Sequence, residues 1–94
     1  MNEVMCMIYD VLPLSDYVGK YIKYTPPWQD YHDIRYGRVY AVSENDNAVL
    51  AVSWYDAFTG YEEVVIPLRY ILQVADKFRG IEVPDNKMPI AYTK

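Results

Sequence analysis

Apolar and polar positions alternate most regularly between residues 36 and 74. There YGRVYAVSENDNAVLAVSWYDAFTGYEEVVIPLRYILQV divides into three β-strands separated by two tight turns. The first strand is predicted over 38–43 and closed by Glu44-Asn45-Asp46-Asn47, since Asn and Asp tolerate positive φ and bond their own backbone. The second, over 48–55, carries Leu50, Val52 and Trp54 on one face and Val49, Ala51, Ser53 and Tyr55 on the other. The larger set is expected to face the core. Asp56-Ala57-Phe58-Thr59-Gly60 reverses the chain, with Gly60 as the left-handed residue, and a strand over 61–66 turns Val64, Ile66 and then Leu68 inward and Glu63 outward. Pro67 ends that ladder, and LRYI predicts one 3₁₀ turn before a last short strand over 72–74. The expectation is an antiparallel meander burying Leu50, Val52, Trp54, Ile66 and Leu68 together.

The flanks are less regular. Residues 3–9, EVMCMIY, are too uniformly apolar for periodicity to separate a strand from a short helix, and Pro13 stops either. Ser15 has the chemistry of an N-cap for a helical turn LSDYV ending at Gly19. KYIKY alternates as a strand with Ile22 inward and the lysines outside or at the edges. TPPWQDYHDIRYG follows as a long loop, because successive prolines forbid a ladder. Residues 78–94 are polar and proline-broken, which predicts a loosely held tail. The organisation expected is an extension over 1–18, one barrel over 19–77 and the tail.

Composition narrows the function classes. Ninety-four residues make one domain with room for one small core, and 52% apolar content separates the chain from disordered tails. Tyr supplies 11 of the aromatic residues against two Trp and two Phe, which suits half-buried barrel positions and binding surfaces alike. A net charge of −4 opposes nonspecific nucleic-acid binding without excluding a local basic patch. One cysteine cannot form an internal disulfide, so a reducing cytoplasm is the expected location. MNEVMCMIYDVL lacks the basic start of a signal peptide, and the longest apolar stretch, 48–55, is far short of the ~20 residues that span a bilayer. No membrane partner is expected.

The set GKYIKY, YGRVYAV, AVLAVSWYD and GYEEVVIPLRYI resembles SH3-like barrels of the Tudor type. The matching residues are Gly19, Gly37, Leu50/Val52/Trp54, Asp56 and Ile66-Pro67-Leu68 with Ile71, and the resemblance covers residues 19–74. It implies an all-β, SH3-like antiparallel barrel with a ligand groove between the first long loop and the loops joining the later strands. On these positions Tyr24, Trp28, Tyr31, Tyr36, Tyr55 and Tyr61 would line the groove, with Asp56 or Glu62 adding negative charge. The plainer expectation is that Trp28 and Tyr31 cover the open end of the barrel.

Catalytic chemistry is not visible. His32, in Asp30-Tyr31-His32-Asp33, matches no standard metal spacing and fits a solvated polar loop; Cys6 sits in an apolar run without a neighbouring base. There is no glycine-rich phosphate loop and no Ser/His/Asp set, so neither an enzyme nor a metal or cofactor is expected. The leading expectation is a non-catalytic module that binds a peptide or protein surface through the aromatic loop and groove. A nucleic-acid-binding barrel would instead use Lys20, Lys23, Arg35, Arg38 and Arg69, interleaved with Tyr21, Tyr24 and Tyr36. A third candidate is a small acidic inhibitor of the phage type. It would present Glu44, Asp46, Asp56, Glu62, Glu63 and Asp76 to the nucleic-acid site of a host enzyme. An exposed edge such as 3–9 could also pair two copies into a homodimer.

Overall fold

The computed structural model describes residues 12–26, 33–54 and 60–89. The expectations for residues 3–9 and for Trp28, Tyr31, His32, Tyr55 and Asp56 lie outside the described residues. What is described is mainly β: a 3₁₀ turn over Leu14–Tyr17, then β1 (Tyr21–Tyr24), β2 (Arg35–Ser43), β3 (Ala48–Trp54), β4 (Tyr61–Pro67), a 3₁₀ turn over Leu68–Tyr70, β5 (Ile71–Ala75), and a last 3₁₀ turn over Asp85–Lys87. The strands form one antiparallel sheet in the order β4-β3-β2-β1-β5. Among the described residues β4 and β5 do not pair with each other, so the sheet is open. No helix there is long and apolar enough to cross a membrane.

The local chemistry explains the reversals. Asn47, at φ 51°, takes the left-handed position that closes the β2–β3 turn. Gly60 enters β4 at φ 80°. β2 begins at Arg35, three residues before the predicted start, because Tyr24↔Arg35 and Lys23↔Tyr36 pair directly with β1. The first 3₁₀ turn is capped by Pro13 with no side-chain bond, so Ser15 is not its N-cap.

The core lies on the side opposite to the one expected for β3. Val49 and Ala51 are fully buried with Tyr17, Ile22, Tyr24, Val39, Val64, Ile66 and Ile71, and Leu68 packs against them. Because both edge strands contribute to that cluster, the sheet curls around it, and a concave face favours small side chains. Gly37 shows how tight it is: a Cβ there would lie 3.1 Å from the Val52 carbonyl oxygen. Val52 instead joins a second cluster on the outer face with Tyr21, Ile81, Val83 and Met88, and Tyr36, Tyr40, Trp54 and Phe78 pack against it. The five residues expected to share one core are therefore divided between two faces. Size alone misassigns β3, because both of its sides are covered.

What covers the outer face is the segment expected to be a loose tail. Residues 78–88 form a strap across the sheet, with Val83 fully buried and Met88 nearly so. Tyr21 fixes it: the Val83 N–H donates to the phenol oxygen at 3.0 Å. Arg38 Nη1 donates to the Val83 carbonyl at 2.7 Å and to Asp85 at 2.9 Å. A strap with three apolar anchors and two polar ties is part of the fold.

Candidate functional site

Register brings an aromatic row to one end of the outer face. Tyr36 pairs with Trp54 across β2 and β3, and Trp54 pairs with Tyr61 across β3 and β4. Lys23 stands beside Tyr36 on β1. In antiparallel strands, directly paired residues share a face, so these side chains line up across the sheet. Both long connections leave from this same end: the one after β1 returns at Arg35, and the one after Trp54 returns at Tyr61.

The strap closes part of the row. Phe78 packs edge-on against Tyr36 with ring centroids 5.2 Å apart. The Lys87 ammonium lies 5.6 Å from the centre of the Tyr61 ring, within cation–π range. Between the strap and β4 runs an open cleft of about 470 Å³, lined by Val52, Gly60, Tyr61, Glu62, Glu63, Asn86 and Lys87. The cleft is polar and acidic on its β4 side. Glu63 accepts a hydrogen bond from the Tyr40 hydroxyl at 3.1 Å. Burial, and then that carboxylate, push the Tyr40 phenol above its ordinary value.

The residues expected in the aromatic groove separate accordingly. Tyr36 and Tyr61 share the row, and Glu62 lies at the cleft beside them. Tyr24 does not join them. It is fully buried on the inner face, where its hydroxyl and Ser53 Oγ share a hydrogen bond at 2.7 Å. Strand alternation already puts Tyr24 with Ile22, so a groove that includes it contradicts its own strand. Trp28, Tyr31, Tyr55 and Asp56 lie outside the described residues. Trp54 is the addition: it was expected in the core, and only the β2–β3 register reveals it between two tyrosines.

The five basic residues do not gather. Lys20 Nζ lies 2.6 Å from Asp76 Oδ1, and that hydrogen bond with its charge raises the lysine and lowers the carboxyl from their ordinary values. Arg35 pairs with Asp33 at 2.9 Å, and Arg38 with Asp85 at 2.9 Å. Arg38 also lies over the Tyr21 ring at 5.8 Å, and Arg69 over the Tyr70 ring at 5.0 Å. Lys23 alone of the five stands in the aromatic row. The acids are equally dispersed: Asp46 accepts from Ser43 in the β2–β3 turn, and Asp76 holds Lys20, while Glu62 and Glu63 lie near the start of β4.

Among the described residues no group of three or more His, Cys, Asp and Glu side chains is placed to hold a metal ion. The arrangement brings flat aromatic surface, the Lys87 ammonium over Tyr61 and the β4 carboxylates together at one end of the sheet. No family model, curated protein or solved structure matches this chain.

Proposed function

We propose that this chain is an SH3-like barrel of the Tudor type serving as a non-catalytic interaction module in the cytoplasm, where it binds a peptide or protein surface. The observation that carries this reading is the row Tyr36–Trp54–Tyr61 at the end of the sheet from which both long connections depart. Those connections hold Trp28, Tyr31, Tyr55 and Asp56 in sequence, so a groove built from the two loops and the row has a consistent topology. The strand order, with the last strand beside the first and a 3₁₀ turn before it, supports the barrel assignment. Large aromatic side chains at a sheet end carry binding energy efficiently, since they bury much area with few rotatable bonds.

The nucleic-acid and inhibitor alternatives draw less support. Three of the five bases have a carboxylate within 3 Å, which offsets the charge that phosphates would meet, and the acids are split between the β2–β3 turn, the start of β4 and the position after β5.

The test is partner recovery from the native cytoplasm by the wild-type chain, by Trp28→Ala/Tyr31→Ala and by Tyr61→Ala. Loss of a central aromatic anchor weakens capture by about thirtyfold, the equivalent of ~2 kcal/mol. Equal recovery by all three, with unfolding curves unchanged, removes the aromatic end as the site.

A further inference from the structure

We infer that the outer edge of β4 is a strand-addition site for an extended, basic segment of the partner protein. The inference rests on the interaction-module reading above and deepens it by naming the partner's conformation and charge. β4 ends the sheet, and among the described residues no strand pairs with its outer side. An edge strand presents alternate backbone N–H and C=O groups outward, a ready template for another chain.

Folded proteins usually blunt such an edge with charged side chains, lysine above all, or with a bulge, a proline or a very short strand; of these β4 has two glutamates and a terminal proline. The other edge, β5, is blunted in this way: it has five residues, and its register with β1 shifts between Lys23 and Tyr24. β4 is different. It runs seven residues in unbroken register with β3, from Trp54↔Tyr61 to Ala48↔Pro67, and its single proline is its last residue. Along it Tyr61 and Val65 are 37% and 50% exposed, and among the described residues no strand covers this edge.

Side chains on β4 select the occupant. Tyr61, Glu63 and Val65 share the outer face, whereas Glu62, Val64 and Ile66 take the other. An added antiparallel strand would therefore meet a carboxylate and then a valine at alternate positions on one face. It satisfies them with a lysine or arginine opposite Glu63 and an apolar residue two positions along, opposite Val65. The net charge of −4 favours encounter with a basic segment. A second copy of this chain fits poorly. In antiparallel pairing of two β4 edges with faces matched, Glu62 and Glu63 meet only residues of β4 itself, which has no base to offer. Either two glutamates oppose each other or a glutamate opposes an apolar side chain or tyrosine.

The probe is a fluorescent synthetic peptide in which lysine and valine alternate at every second position with threonine between them, compared with the same peptide carrying glutamate in place of lysine, against the full chain. The expected result is saturable binding of the basic peptide, with slowed amide exchange confined to β4. Glu63→Lys weakens the basic peptide by about fivefold and strengthens the acidic one, since a cross-strand charge pair turns repulsive. Tyr40→Phe, which removes the hydroxyl bonded to Glu63 but keeps the carboxylate's charge, retains the preference for the basic peptide over the acidic one. The inference is overturned by an absence of β4 protection at saturating peptide or by equal affinity for the two peptides. Concentration-dependent dimerisation that protects β4 without peptide also overturns it, in favour of pairing between copies. Partner capture that depends on Trp28 and Tyr31 but leaves β4 amides unprotected would retire the strand-addition site alone.

Discussion

Tyr24 and Ser53 show how one hydrogen bond decides what a strand face can hold. Both are fully buried, and each hydroxyl finds its partner in the other at 2.7 Å. A buried hydroxyl stripped of its partner costs about 1–3 kcal/mol, while replacing both partners with apolar groups costs much less. Tyr24→Phe therefore lowers unfolding free energy by about 1–3 kcal/mol, and the Tyr24→Phe/Ser53→Ala pair recovers part of that loss in urea titrations. Additive losses in the double variant would mean that the two hydroxyls act independently. At this scale the sequence is a poor guide. Ser53 looked like a solvent-facing residue because it is small and polar, and nothing in the chain's order announces a phenol 29 positions away. Ile22 and Val64 were legible as inward, because Lys23 and Glu63 stand beside them, and Ile66 follows from Val64 by strand alternation.

Elements were easier to locate than to orient. The spans of β3 and β4, the Asn47 turn, Gly60 and the 3₁₀ turn before β5 follow from local chemistry, and each stands where that chemistry puts it. The facing of β3 was not legible. Alternation identifies a core side only when the opposite side meets water, and here the strap 78–88 removes water from it. The strap itself escaped notice for a related reason: Ile81 and Val83 alternate for a single step before Pro84, and Met88 stands five residues after Val83, so no period of 2 or 3.6 is sustained. Its energetic role is testable. Ile81→Ala should cost about 2–4 kcal/mol, and removal of residues 78–94 should expose Val52, Tyr21 and Trp54 to a hydrophobic dye while lowering the denaturation midpoint. A truncated chain that keeps the midpoint of the full one would show that the strap only rests on the sheet.

For the molecule as a whole, the legible part was the class, a small antiparallel β fold; the unread part was that it has two apolar layers, one inside the curl and one under the strap. Lys20 and Asp76 join the two ends of the sheet-forming chain, one just before β1 and the other just after β5. Asp76 is held below the ordinary carboxyl value of about 4. A lowered value stabilises the fold above the unfolded-state pKa and loses that contribution as pH falls through the folded one. Both groups are solvent-exposed, so the effect is small and screened by salt. Asp76→Asn should accordingly be less stable than the wild type at pH 7 and indistinguishable from it near about pH 2, with the gap at neutral pH shrinking in high salt. A difference that persists in acid would assign the effect to packing instead of charge.

The place of β1 between β2 and β5 sets the order of events on the ribosome. Tyr21 is translated well ahead of its sheet partner Ala75, and 62 residues ahead of Val83, whose amide bonds its hydroxyl. At about 5–20 residues per second, Trp54 waits a few seconds in the nascent chain before the strap that shelters it emerges. For that interval the growing polypeptide leaves the outer apolar face of its sheet open to any chaperone within reach, and any mutation that slows translation of residues 78–88 lengthens the exposure.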